Sequence, residues 1–338
     1  MSTAQPHLAI IIVNWNSAEF LRACVSSIYA HIKNLDFEII VVDNASYDGS
    51  GPMLARDFPK AVFIQSDQNL GFARANNLGF TRSKAPFIVF LNPDTELLGP
   101  ALYEMLKLIE TTPLAGVVGA RLLNSDHSVQ TSCVQRFPTI INRVIDADIL
   151  RRLTPKSRFW GTQPLFENAG KTDVVEVVSG ACQMVRRDVF EKIGMFEESF
   201  FMYAEDADLC FKANKAGFKN YFVGEAVIVH HGGQSSTASS EGNFAAVVMR
   251  ESLCRMFALR HGRLYAASYR ASVALVALFR LGLLWAVMCI TFRRFRTRAI
   301  AGAAKKWMKV LRWSIGLEPW VSCPARPRNL QPTSDSAI

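Results

Sequence analysis

Residues 8–17 read LAIIIVNWNS, an unbroken apolar run, Leu8–Val13, that stops abruptly at Asn14, Trp15 and Asn16. Four of its six apolar residues are β-branched, and nothing polar interrupts them. A run of that length without polar alternation predicts a strand buried on both faces, which is the habit of a parallel sheet. The same pattern returns at Glu38–Val42, Ala61–Gln65, Phe87–Leu91 and Gly116–Gly119. Between these runs, Ala18–Lys33, Ser50–Phe58, Phe72–Ser83 and Leu98–Glu110 carry helical periodicity. Strand and helix alternating at this spacing predict an α/β fold: a Rossmann-like, mostly parallel sheet flanked by helices, with right-handed crossovers.

Further along, Val174–Val185 and Phe218–His230 read as strands, and Arg187–Gly194 and Glu205–Ala216 as helices. The stretch 121–172 is polar and Pro-interrupted, with Arg151, Arg152, Lys156 and Arg158 clustered, and reads as an insertion or lid. GGQSSTASSEGN at 232–243 has the composition of a mobile linker. These boundaries predict an α/β domain over 7–235, a basic, apolar helical region over 244–320 and a disordered tail over 321–338.

Composition narrows the class. Of 338 residues, 50% are hydrophobic and 20% charged, which excludes a disordered or fibrous chain. The net charge of +9 is concentrated: Arg250–Trp313 holds fourteen Lys/Arg and one acid, Glu251, so the remainder is mildly acidic. Seven cysteines without a C-x-x-C argue against a disulfide framework or a zinc site and favour a reducing compartment. The first apolar run is strand-length, so no signal peptide is expected.

In an open parallel sheet, ligands bind beyond the carboxyl ends of the strands. Asn14-Trp15-Asn16, Asp43-Asn44-Ala45-Ser46 and Asn92-Pro93-Asp94-Thr95 fall there together. Neither a P-loop nor a G-x-G-x-x-G motif follows a strand, so a bound nucleotide would need its phosphates neutralised by a divalent cation on oxygen ligands. Asp94 is a candidate ligand; the competing reading is an N-cap for a helix near Leu98. A second cluster, Glu205-Asp206-Ala207-Asp208, crowds three carboxylates into a helix start beside Phe200-Phe201-Met202-Tyr203. Capping accounts for one of them, and another can serve as a general base for a hydroxyl. A third, Val229-His230-His231-Gly232-Gly233, places two imidazoles at a strand end, where they are either structural or contacts to a metal or diphosphate.

In chain order, IIVNWNS (11–17), VVDNASYDGS (41–50), NLGFARANNLG (69–79), FLNPDT (90–95), VSGACQMVRR (178–187), GMFEESFFMYAEDADLCFKANKAGF (194–218) and VHHGG (229–233) resemble family 2 glycosyltransferases. The likeness is to the inverting, GT-A-fold kind, and within it to the bacterial rhamnosyltransferase-like branch. The resemblance implies a nucleotide-diphosphate sugar donor, a glycan or lipid-linked acceptor, and Mg2+ or Mn2+ as cofactor. It places Asn14 and Asp43 on the nucleoside with Asn16 nearby, and Gly71, Arg74 and Asn77 beside ribose and diphosphate. Asn92-Pro93-Asp94 takes the place of the acidic metal motif, with Asp94 the principal ligand and Asn92 replacing the first Asp. His230, rather than His231, completes the metal or diphosphate site. Asp206, paired with Glu205, matches the catalytic base. Asn76 stands where the wider family carries Arg.

The charge excess surrounds ASVALVALFRLGLLWAVMCITF (271–292), whose only charge is Arg280. At about 1.5 Å per residue such a helix is long enough to cross a bilayer. Basic clusters at both ends fit better a helix lying on an anionic membrane surface, peripheral or interfacial, at the cytoplasmic face of the inner (cell) membrane. The blander reading is a buried helix pair with a solvated basic face. No nucleic acid is expected as partner, because the charges interleave with apolar residues. A sugar nucleotidyltransferase would need a Gly-rich basic loop after the first strand, and an inactive membrane scaffold would not need Asp94, Asp206 and His230 together.

Overall fold

The structure, a computed structural model, describes residues 5–144, 154, 157, 160–162, 170–232, 244–290 and 298–318. The tail at 321–338, the linker from 233 onward and the cluster Arg151, Arg152, Lys156 and Arg158 lie outside the described residues.

Four strands form the parallel half of the central sheet: β1 (Leu8–Asn14), β2 (Phe37–Asp43), β3 (Val62–Gln65) and β4 (Phe87–Leu91). They stand in the order β3-β2-β1-β4. Helices α1 (Ala18–His31), α2 (Ser50–Asp57) and α3 (Gly71–Arg82) make the crossovers. Ile10, Ile11 and Ile12 are fully buried, as a strand covered on both faces requires. Register then decides where the polar residues go. Asn14 lies opposite Asp43, and Asp43 opposite Gln65, so the apolar runs end on one line.

The other half of the sheet mixes directions. After β5 (Thr95–Leu98), α4 (Ala101–Thr111) and β6 (Ala115–Leu123), the chain passes through β7 (Val134–Gln135) and α5 (Ile140–Val144). It returns through β8 (Asp173–Val175), β9 (Val177–Val178) and β10 (Cys182–Arg186), then through α6 (Arg187–Lys192), α7 (Glu205–Lys215) and β11 (Lys219–His230). β10 enters antiparallel between β4 and β6, β11 runs parallel to β6, and β5 and β8 pair antiparallel with β11. Three expected boundaries change. Leu98 belongs to a strand, not a helix start, because Thr95–Leu98 pairs with His230–Val227, and the helix begins after Pro100. Val174–Val185 is three strands, since β9 leaves the main sheet to pair with β7. Gly116–Gly119 extends to Ala115–Leu123.

A stack of Phe90, Phe190 and Phe196, with ring centroids 4.8–5.4 Å apart, locks the segment after α6 onto the sheet. The C-terminal region docks as three helices, α8 (Phe244–His261), α9 (Arg263–Ile290) and α10 (Arg298–Ser314). α8 buries Val247, Leu253, Met256 and Phe257, and α9 buries Ala266, Tyr269, Val273 and Ala277 at helical spacing. Beyond Ala277 that stripe ends: no residue from 278 to 288 is buried, and Leu278, Phe279, Leu283 and Trp285 are exposed. By length and composition Arg263–Met288 suffices to cross a membrane. Arg280 lies against α10, its guanidinium 4.7 Å from the Trp307 ring centre, with Arg250 over the same ring at 5.4 Å.

Candidate active site

A cleft of about 320 Å³ opens where β1, β2 and β4 end, and it is lined by Trp15, Asn92, Asp94, Asp206 and His230 among others. The register above explains the position, since each strand surrenders its apolar character at the same level.

Behind the cleft, the β1 and β2 ends are laced together. Asn14, fully buried, donates through Nδ2 to Asp43 Oδ2 at 2.8 Å and Ser50 Oγ at 2.9 Å. Asp43 accepts at its other oxygen from the Ser46 N–H and from Gln65 Nε2, both at 2.8 Å. Asn16, at φ 49°, accepts from the Tyr47 N–H at 2.9 Å and donates its own N–H to Ser46 Oγ at 2.8 Å. Asn14, Asn16 and Asp43 are absent from the cleft lining; they brace its floor.

Gly71 does reach the cleft. Its φ of 78° favours glycine, and a Cβ there would stand 2.3 Å from the Phe201 carbonyl oxygen. That close approach lets the Phe72 N–H donate to the same oxygen at 2.8 Å, joining α3 to the segment ahead of α7. Asn77 makes the same junction from within: it donates to the Phe196 carbonyl at 2.9 Å and accepts from the Phe196 N–H at 3.1 Å. Arg74 donates to the Glu198 carbonyl at 3.1 Å. Asn77 and Arg74 therefore face the 196–198 segment and do not line the cleft.

Asp94 is 7% exposed, with Oδ1 3.4 Å from His230 Nε2, and Asn92 Nδ2 is also 3.4 Å from that nitrogen. Gln130 decides the imidazole's tautomer. Its Nε2 donates to Asn124 Oδ1 at 3.0 Å, which turns Oε1 toward His230 Nδ1 at 2.8 Å. Nδ1 then carries the hydrogen, and the Nε2 lone pair faces the Asp94 carboxylate. Two electron-pair donors meeting this way fit a divalent cation. Their separation is close to the roughly 3 Å between adjacent ligands of an ion with ~2.1 Å bonds. Among the described residues no three His, Cys, Asp or Glu side chains converge as a complete cage, so the remaining ligands would come from substrate and water. His231 turns away, bonded to Glu96 and Ser125 at 2.8 and 2.9 Å.

The carboxylate cluster divides by helix face. Asp208, fully buried, is held by Arg260 of α8 through two bonds of 2.5 and 2.8 Å. Glu205 and Asp206 face the cleft. Burial, with the Asp206 charge adjacent, pushes the Glu205 carboxyl up to about 8, and its buried Oε2 has no partner among the described residues. Burial also raises Asp206, but there the N–H groups of Ala207 and Gly180 and the charge of Arg143 oppose it. Those bonds are 2.7 Å to Ala207 and 3.1 Å to Gly180. The two N–H donors and Arg143 thus favour the anion at Asp206, while burial and the neighbouring charge favour the proton at Glu205. Tyr203 and Ala204, at φ 69° and 67°, present the pair in a conformation costing about 1–2 kcal/mol per residue.

Sequence reasoning missed five participants. Gln130, Arg143 and Gly180 lie far in sequence from the residues they serve, and only the Gly180 motif carried any signal. Met249 and Leu253 of α8, from the basic C-terminal region, line the same cleft.

Comparison with known proteins places this geometry in context. The sequence profile of Glycosyl transferase family 2 matches residues 9–194, more than half of the chain. Over 251 residues the chain is 27% identical to the N-acetylglucosaminyl-diphospho-decaprenol L-rhamnosyltransferase of Mycobacterium tuberculosis, covering 71% of this chain and 80% of that one. It is 23% identical over 231 residues to Rhamnosyltransferase WbbL of Escherichia coli, covering 66% and 82%. Among solved structures, the mannosyltransferase PcManGT of Pyrobaculum calidifontis in complex with GDP-Man and Mn2+ superposes with a TM-score of 0.53 at 17% identity. That superposition covers 93% of this chain and 88% of that one, and it shows a shared GT-A fold.

Proposed function

The chain belongs to glycosyl transferase family 2 and is a nucleotide-sugar-dependent glycosyltransferase; we propose that it transfers a deoxyhexose such as L-rhamnose, with inversion, to a hydroxyl of a glycan or lipid-linked acceptor. The observation that carries this reading is one cleft holding the Asp94–His230 pair on one wall and the split Glu205–Asp206 pair on the other. The rhamnosyltransferases among its relatives support the choice of sugar.

Asp206 is the base. Its Oδ1 and Oδ2 are aligned by the Ala207 and Gly180 N–H groups, and it takes the proton of the acceptor hydroxyl as that oxygen attacks the anomeric carbon. The sugar–phosphate bond breaks on the opposite face, and the nucleoside diphosphate departs. Glu205, neutral beside it, keeps a second negative charge away from the base. Asp94 and His230 would hold Mg2+ or Mn2+, which when bound would neutralise charge on the diphosphate. The neighbour solved with Mn2+ supports a divalent ion here. Asn14 and Asp43 act by fixing the loops that receive the nucleoside, and Gly71 by letting α3 approach.

The exposed apolar surface of α9 and the basic residues around it support a peripheral or interfacial seat on an anionic membrane, at the cytoplasmic face. Detergent-dependent extraction is expected, and complete release by high salt alone would remove the apolar contribution. For the activity, the purified full chain is given UDP-, GDP- and dTDP-hexoses and deoxyhexoses with Mg2+ or Mn2+. Metal-dependent release of nucleoside diphosphate is expected. Formation of nucleotide sugar from sugar phosphate, or no turnover of any donor, would contradict the reading.

A further inference from the structure

Helix α8 lies outside the stretch matched by the family profile, yet it grips the segment that carries Asp206 at three points. Ser252 Oγ donates to the Met202 carbonyl at 2.7 Å. Arg255 Nη1 donates to the Ser199 carbonyl at 2.8 Å. Arg260 closes the two bonds to Asp208 described above. Glu251 ties the grip to α10 by accepting from Trp313 Nε1 at 2.8 Å.

These contacts bracket the base. Met202 immediately precedes the two left-handed residues Tyr203 and Ala204, and Asp208 lies one residue beyond Ala207. A left-handed pair without glycine persists only where its surroundings hold it. The bond from Ser252, itself 5% exposed, fixes the carbonyl at the entrance to that turn. On the other side, the Asp208 N–H donates to the Ala204 carbonyl at 2.8 Å, closing the first turn of α7. Its carboxylate would be a costly buried charge without Arg260, with Lys212 Nζ the second cation at 3.7 Å.

We infer that α8 is part of the catalytic apparatus: Ser252 and Arg260 are positioning residues that hold the Tyr203–Ala204 turn and α7 so that Asp206 meets the acceptor hydroxyl. The inference rests on Asp206 being the base. It gives the basic C-terminal region a role in the chemistry distinct from any contact with a membrane.

The test uses the full chain and the nucleotide sugar with the highest turnover in the panel above. Ser252→Ala is expected to lower kcat about tenfold, the effect of one hydrogen bond, with donor affinity unchanged. Ser252→Thr, which keeps the hydroxyl, restores most of it. The double variant Asp208→Asn/Arg260→Met, which removes both members of the bidentate pair together, lowers kcat further, whereas Arg260→Lys retains more. In an Asp206→Asn background Ser252→Ala has no additional effect, because the base it positions is gone. A wild-type kcat in Ser252→Ala, or an undiminished Ser252→Ala effect without Asp206, overturns the inference. Wild-type turnover in Asp206→Asn alone would instead overturn the base assignment beneath it.

Discussion

On the sheet side of the cleft, the Asp43 carboxylate accepts three hydrogen bonds, and Asn14 ties β1 to β2. At the start of α7, Glu205 keeps a buried oxygen without a partner among the described residues, its carboxyl is pushed up to about 8, and two non-glycine residues sit at positive φ beside it. Both regions are polar and buried, and among the described residues each keeps one oxygen without a partner, Asn14 Oδ1 and Glu205 Oε2. They differ in that the Asp43 carboxylate is fully engaged by donors whereas the Glu205 carboxyl is not. Buried polar groups are normally partnered, so Glu205, which lines the cleft where Asn14 does not, marks where substrate completes the structure. The laced ends of β1 and β2 are a frame, built rigid so that the donor meets fixed loops.

The sharpest way to break this contrast is at Asp206. Asp206→Asn keeps the side-chain shape and is expected to cut kcat by roughly 10²–10⁴-fold, leaving donor binding intact in calorimetry. Next in size, Asp94→Ala should abolish metal-dependent strengthening of donor binding. Gln130→Leu, which frees the His230 tautomer, should weaken Mn2+ binding about tenfold in an electron paramagnetic resonance titration. Equal Mn2+ affinity in both variants would show that the Asp94–His230 pair holds no metal.

Glu205→Gln probes the second wall through stability. The folded Glu205 titrates near 8, above its ordinary value of 4.5, so between those values the native state retains a proton that the unfolded chain has lost. Stability contributed at this site therefore falls as pH rises through that window. Glu205→Gln removes the penalty, and its Tm advantage over wild type should widen from about pH 5 to pH 8. A constant difference across that range would mean that Glu205 is ionised in the folded protein. The smallest effect on turnover is expected at Asn77→Ala, on α3 and outside the cleft lining. It should cost about 1–3 kcal/mol of stability by orphaning the Phe196 backbone, with kcat nearly unchanged.

The apolar runs made the first half of the fold legible, because each stops at a polar residue and the register carries those stops to one edge. The second half was less so. TELL at 95–98 leads into Gly99-Pro100 and resembles a helix entry, and only its pairing with β11 makes it a strand. That β10 enters antiparallel is a tertiary choice with no local signature. At the site, spacing grouped Glu205, Asp206 and Asp208, but their roles separate through partners 26 and 52 residues away, Gly180 and Arg260. The choice of His230 over His231 also rests on distant partners, Gln130 for one and Glu96 for the other. Splitting the net charge isolated a basic C-terminal region in the sequence, and its first helix proves to line the cleft.

All of this depends on a single displacement in which Asp206 activates the acceptor. The configuration of the newly formed glycosidic bond, read by nuclear magnetic resonance of the product against the donor's anomeric configuration, tests that most directly. Inversion is the predicted result; retention would require a covalent intermediate or a front-face path and would contradict the assignment of Asp206 as base.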